Sequence, residues 1–482
     1  MQSLATPTPF STDFLAQEAN ALPSFSDGDI IRRPQLLEYA NSWPAEVDEA
    51  SLLPWLDSYF KRLSPIVPVL SHIAVYEAML LGRHRSDRDF GAMILSMCSI
   101  VMIQAVYTEE ASHLDERTKT AKLWMQHSAR MRSTWDFGQD PTIETILTSF
   151  FLFGCLFSNG QQRAAWHQLR LAVDMSCQIG LDQPDVYLLK SKQEREQRIR
   201  IYLSLAVTER ACALMCRHSI SLRGRPWSIS LSAQQMSMYF DDPTFGFDES
   251  QSSREITGLL CLAHLFDGID EDVIDCWNGR CRKTDSICDT TDRRKILALT
   301  RRLMTAATET STSDATAISI TNSLNESQRV DVLITQVWIL NRMWHLSMSH
   351  GLLQGTSEHP VLTPEFAVAL ASAASMVCRQ VQLRSIAVHG TGMLAKISDI
   401  AASVQTAKEL VGEARVAAYI AEPNLFVQSL GPCVDLWQRS GIDTSSCLMT
   451  AEEVVNVLTS ILSKMRDGRH PYTHLGSQPW PT

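Results

Sequence analysis

Cysteines, histidines and a few charges set inside apolar stretches are the residues of this chain whose types could do chemistry. Cys276, Cys281 and Cys288 stand in C-W-N-G-R-C-R-K-T-D-S-I-C-D, a basic loop between thiols. Thiolates bind zinc, and Arg and Lys bind phosphate. The first pair is separated by four residues rather than two and no second Cys-x-x-Cys half follows, so the three read as surface-loop cysteines near a helix end. His345 and His350 lie five apart, off the one-turn spacing that shares a metal on one helix face, and read as structural. His389-Gly390-Thr391-Gly392-Met393-Leu394-Ala395 fits G-x-G-x-x-A, with Glu409 about twenty residues on. No strands alternate with helices around it to build a dinucleotide-binding sheet, so it reads as a loop that starts a helix. Glu209 and Arg210 are charges inside an otherwise apolar helix, and adjacent helical residues point to different sides, so each needs its own partner. One reading is a satisfied boundary ion pair. The other is a pocket for an effector or partner, lined by Glu209, Arg210, Arg217, His218 and Arg223. No nucleophile elbow, phosphate loop or paired carboxylates stand out, so no catalytic residue, bound cofactor or metal ligand is expected.

The elements that must position these groups are helices, and the stretch Thr145–Leu222 organises them. Ile143, Ile146, Leu147, Phe150, Phe151 and Phe157 recur at three-and-four spacing, with Asp140 as the expected cap and Pro141 in the first turn. A second helix sets Arg163, His167, Arg170, Asp174 and Gln178 on a polar face and Trp166, Leu169, Val173 and Ile179 opposite, with Gly180 to end it. The third opens on the charged run Glu194 to Arg200 and is then almost wholly apolar through Cys216, which predicts a buried, central helix. Further helices are expected over 72–82, 89–107, 117–133, 255–279, 292–308, 329–350, 364–383, 392–415 and 450–466. The fold class is therefore all-α, with little or no strand. Residues 1–50 read as a flexible lead-in, 51–304 as a helical core, the Ser/Thr-rich 305–328 as a linker or insertion, and 329–482 as a C-terminal helical part of the same region.

The chain is long enough to bury a large core. Lys plus Arg number 43 against 53 Asp plus Glu, a formal charge of −10, so the body as a whole repels nucleic acid phosphate. The N-terminus has no basic segment followed by an apolar one, and the longest apolar run, Met93 to Tyr107, falls short of the roughly 20 residues of a membrane span. With no export signal, the scattered cysteines fit a reducing compartment, as small core residues. Arg293-Arg294-Lys295 with Arg301-Arg302 is a weak match to a nuclear import signal.

Three ordered blocks resemble the fungal-specific transcription factor domain, the regulatory region that follows a binuclear zinc cluster in many fungal activators. They are Tyr59-Phe60 through Pro65-Ile66-Val67-Pro68-Val69-Leu70; Ser149-Phe150-Phe151-Leu152-Phe153-Gly154-Cys155 through Ala165-Trp166 and Ile179-Gly180-Leu181; and Arg198 to Arg210, ending V-T-E-R, with Arg217-His218 beyond. The wording is closest to the maltose-regulator-like branch. The third block departs from the pattern at Leu203 and Ser219, both positions of packing or helix termination. No C-x2-C-x6-C pair stands in the sequence, so the family's zinc and base contacts map onto no residue here. The resemblance implies a nuclear (or cytoplasmic) regulator of a metabolic or secondary-metabolite biosynthetic gene set. It implies DNA contact through a partner or a missing module, with zinc only in such a module. Other transcription factors, a second copy of the chain and a small-molecule effector are the implied partners, and a membrane is not. The alternative is a small-molecule-binding or scaffold protein of the same fold that does not bind DNA.

Overall fold

Short polar side chains placed just ahead of apolar runs decide where the helices of this protein begin. In the computed structural model, which describes residues 43–104, 113–132, 139–188, 190–223, 249–284, 287–305, 324–422, 429–430, 433–434, 437–438, 442–443 and 450–467, Asp48 accepts the Ser51 N–H at 2.7 Å and opens α1 (Glu49–Ser58). A π-helical turn, Tyr59–Leu63, extends α1 until Pro65 stops it. Then follow α2 (His72–Leu80), α3 (Arg83–Ser86), α4 (Arg88–Ile103), capped by Asp87, and α5 (Leu114–Arg132). The stretch that periodicity singled out is α6 (Ile143–Ser158), α7 (Gln162–Gln178) and, after the short α8 (Asp185–Leu188), α9 (Lys192–Cys216). Beyond it lie α10 (Glu249–Phe266), α11 (Glu271–Trp277), the two-residue strands β1 (Lys283–Thr284) and β2 (Ile287–Cys288), and α12 (Arg293–Thr305). The C-terminal part holds α13 (Glu326–Ser349), α14 (Phe366–Arg379), α15 (Leu383–Ala387), α16 (Gly390–Val411), α17 (Glu413–Ile420) and α18 (Ala451–Asp467). The fold is all-α; the antiparallel pair β1–β2, with Lys283 opposite Cys288, is the only strand pairing among the described residues.

Three of the departures from the expected helix boundaries have a clear local reason. α6 starts at Ile143 because Thr142, not Asp140, is its cap: Thr142 Oγ1 accepts the Thr145 N–H at 3.2 Å while Thr145 Oγ1 accepts the Thr142 N–H at 2.9 Å. The single helix expected over 255–279 is broken, because the Asp270 carboxylate takes the Val273 N–H at 2.9 Å and starts α11 afresh. The helix expected over 392–415 is cut at Gly412, whose φ of +85° only glycine adopts readily. Gly180 does end α7, as expected, at φ +75°. The lead-in up to residue 42, and residues 306–323 of the Ser/Thr-rich stretch, lie outside the described residues.

The described residues all belong to the unit Trp43–Thr482. Two large apolar cores dominate it, beside a smaller cluster of Tyr187, Ile199, Leu203, Ile256 and Leu259. The first gathers α1, α4, α5, α6 and α7, with Leu52, Leu56, Ile94, Leu95 and Met97 fully buried. The second gathers α10 to α14, α16 and α18 around Trp338, Trp344 and Phe366, and small residues let α14 sit close to its neighbours: Ala367, Ala369, Ala371, Ala373 and Ala374 are all buried. α9 serves both. Its Ile201, Tyr202, Leu205 and Cys212 enter the first core, and its Ala213, Leu214 and Met215 enter the second. The buried, central helix expected from its apolar run is thus in place.

α4 is buried on nearly all sides, and that depends on a glycine. A Cβ on Gly91 would fall 2.5 Å from the His84 carbonyl oxygen and 2.7 Å from Met131 Cε. The carbonyl belongs to backbone and cannot swing away, so Gly91→Ala is expected to destabilise the protein by about 1–3 kcal/mol in urea unfolding.

Candidate functional site

The chain leaving α9 must turn back along it, and charged residues of the helix enforce the turn. Arg217 ends α9 at φ 58° and ψ 42°, a left-handed conformation unusual for a residue with a Cβ. Glu209, 0% exposed, then accepts the Ser221 N–H at 2.8 Å on one oxygen and the Leu222 N–H at 3.0 Å on the other. Arg170 of α7 donates to the same carboxylate at 3.2 Å. Burial pushes the Glu209 carboxyl above its ordinary pKa, against the pull of the Leu222 and Ser221 amides and of Arg170. Arg210 grips the same segment from its other side: Nη2 donates to Leu222 O at 2.9 Å, Nε to Ile269 O at 3.1 Å and Nη1 to Ala206 O at 3.3 Å. Burial lowers the Arg210 pKa.

The five residues expected to share a pocket are therefore divided. Arg210 and Arg223 line a cleft of about 470 Å³ beside α9, together with Tyr202, Phe266, Asp270 and Arg302. Its cations are already paired: Arg223 with Glu271 at 2.9 Å and Arg302 with Asp267 at 3.2 Å. Glu209, Arg217 and His218 do not line it. The Arg217 guanidinium lies 5.9 Å from the Trp277 ring, and the His218 ring stacks on Trp166 at 3.9 Å and 11°. Burial lowers the His218 pKa, which favours the neutral ring in that stack. Gly390 starts α16 without a strand before it, so the G-x-G-x-x-A match is the helix start expected from its context.

A second cavity, of about 250 Å³, lies on an adjacent side of α9, between the two cores. Phe150, Phe153 and Phe157 of α6 give it an apolar wall, and Ser204, Thr208, Ala211 and Met215, at three-and-four spacing, bring one stripe of α9 to it. One end is charged. Lys396 Nζ lies 3.2 Å from Asp331 Oδ1 and 2.6 Å from Thr335 Oγ1, and His389 Nδ1 lies 3.6 Å from Asp331 Oδ2. Burial would raise the Asp331 pKa, but the charge of Lys396 and then His389 hold it below the ordinary range. Burial lowers the His389 pKa. Two polar atoms in the lining, Gln104 Oε1 and Ser204 Oγ, are buried with no hydrogen-bond partner among the described residues. Apolar walls with a few convergent polar atoms make a binding cavity rather than a reaction centre. The sequence reading missed it, although one signal was there: Ser204 and Thr208 are small polar residues one turn apart in a helix otherwise apolar on that side.

A family model, the fungal specific transcription factor domain, matches residues 56–306. The matched span runs from within α1 to the end of α12 and takes in α9 and the cleft. Over 367 residues the chain is 24% identical to the "Probable sucrose utilization protein SUC1" of Candida albicans, a match covering 75% of this chain and 65% of that protein. The chain thus spans less than two thirds of the length of that curated relative. No described helix is long and apolar enough to cross a membrane.

Proposed function

Because this chain belongs to the fungal specific transcription factor domain family, we propose that it regulates transcription of a metabolic or secondary-metabolite biosynthetic gene set, through an all-helical domain that responds to a small molecule. The family match over half the chain carries the reading, and a relative named for sucrose utilization supports its metabolic side. DNA is reached through a partner or a module outside this sequence, a reading that the net charge of −10 supports, since the body as a whole repels the phosphate backbone. The site of action is the nucleus. The cavity between the cores is the effector site: its apolar walls take a largely apolar metabolite, and Gln104 Oε1 and Ser204 Oγ accept hydrogen bonds from it. The cleft with Arg210 and Arg223 takes a protein partner, whose charges exchange with those of Glu271 and Asp267 on the rim.

Deleting the chain from its host is expected to change a coordinated set of transcripts by several-fold. Thr208→Phe, which fills the cavity, is expected to abolish the response of that set to its inducing metabolite at unchanged protein level. RNA sequencing of the three strains checks both, and a deletion without any transcript change would sink the regulatory role. A ligand that raises the melting temperature of the wild type but not of Thr208→Phe, with transcripts unaffected, would instead favour the scaffold or binding-protein reading, for which the cavity is the specific support.

A further inference from the structure

We propose that Cys276, Cys281, Cys288 and His350 form a four-coordinate structural site for zinc, separate from any binuclear cluster. Three of the side chains come from one short stretch, the end of α11 and the hairpin after it, and the fourth from the distant end of α13. Cys276 lies in the last turn of α11 and is buried. Gly279, at φ +71°, reverses the chain so that Cys281 returns beside it, with Gly279 N–H donating to Cys276 O at 3.1 Å and Arg280 N–H to Asp275 O at 2.8 Å. The β1–β2 hairpin brings back Cys288, and His350 is the residue that caps α13. Their ligand atoms all lie within 4.8 Å of one another.

Two of the spacings match the edges of a tetrahedral metal site, and that between Cys276 and Cys288 is not that of a disulfide. Cys276 Sγ is 3.6 Å from Cys288 Sγ, and Cys281 Sγ is 3.6 Å from His350 Nε2. A tetrahedral zinc ion with ordinary bond lengths sets two sulfurs about 3.8 Å apart, and a sulfur and a nitrogen about 3.5 Å apart. A disulfide needs about 2.05 Å. The surroundings fit as well. His350 Nδ1 sits 3.0 Å from Leu346 O, and a carbonyl only accepts, so Nδ1 carries the proton. That leaves the Nε2 lone pair facing the sulfurs. Thr291 donates its N–H to Cys288 Sγ at 3.2 Å and its hydroxyl to Cys276 Sγ at 3.0 Å, contacts that favour thiolate sulfur. Three soft thiolates and one imidazole select zinc over calcium or magnesium, and four protein ligands leave no open position for catalysis. On binding, the three thiols release their protons to solvent and the metal keeps its oxidation state. The ion would tie α11 and the hairpin, which lie inside the family span, to the end of α13, which lies outside it.

The full chain, purified from a zinc-replete culture, is expected to carry about one zinc ion by elemental mass spectrometry. Exchange for cobalt(II) is expected to give the strong visible bands of tetrahedral cobalt together with thiolate charge-transfer absorption. Cys281→Ser and His350→Ala should each lose most of the metal and several degrees of melting temperature. A readout on the wild type guards against variants that fail to fold. Cys276, Cys281 and Cys288 should resist alkylation until a chelator is added, as judged by peptide mass spectrometry. The proposal is overturned by folded protein without zinc, by zinc that survives both substitutions, by chelator-independent alkylation, or by a Cys276–Cys288 disulfide.

Discussion

Glu209→Ala is expected to lower the unfolding free energy by about 3–5 kcal/mol, because it removes one member of a buried charged network. The Ser221 and Leu222 N–H groups and the Arg170 guanidinium lose their acceptor together, and the turn after α9 loses the contact that folds it back. Glu209→Gln should cost less, since one carbonyl oxygen remains to accept while the amide NH₂ faces a donor. Arg170→Ala should cost less still, because Arg170 is partly exposed and both backbone donors keep their partner. Urea unfolding of the three variants, followed by circular dichroism, gives the order. If Glu209→Ala were within 1 kcal/mol of wild type, the anchor role would be wrong.

Lys396→Met is expected to cost about 3–5 kcal/mol at neutral pH, for it leaves the carboxylate of Asp331 buried beside the cavity without its nearest cation. Asp331→Asn combined with Lys396→Met should recover much of that loss, so a double-mutant cycle would show the two residues strongly coupled. The pH dependence of the single variant follows from Asp331. In the wild type its folded pKa is lowered, so its contribution is present above the unfolded carboxyl pKa and fades as pH falls through the folded value. Without Lys396, burial dominates and the folded pKa rises above the unfolded one. The deficit is then greatest at neutral pH and narrows as the pH falls, because a proton neutralises the buried group. His389 acts in the same direction, since charging its ring in acid supplies a replacement cation 3.6 Å away. A deficit that widened in acid would contradict this assignment.

What could be read in advance was what depends on neighbours along the chain. The apolar spacing of Ile146, Phe150 and Phe157 and the position of Gly180 set α6 and the end of α7. The run from Arg200 to Cys216 marked α9 as central before any core was visible. Caps were harder, because Asp140 and Thr142 both carry a suitable oxygen, and only the reciprocal bond from Thr145 decides between them. Glu209 and Arg210 could be read as needing separate partners, but not as gripping one short segment, Ser221-Leu222. That segment is reached only through the left-handed turn at Arg217. Cys276, Cys281 and Cys288 were expected in a surface loop, but Cys276 is buried and Cys281 and Cys288 are half-buried. His350, whose number lies far from theirs, comes to them only because α12 and α13 pack side by side. Spacing rules written for neighbouring ligands do not register such a partner.

The sharing of α9 between two cores bears on how such a domain can change over generations. Residues that enter the two cores are next to each other along the helix, so a drift in size at Cys212 is felt at Ala213 and Leu214, which enter the other core. The two halves cannot diverge as independent cassettes, nor be exchanged one at a time between relatives without a mismatch along this helix. Whatever new ligand or partner the domain acquires, the substitutions that admit it are best tolerated on the cleft and cavity walls that helices other than α9 supply.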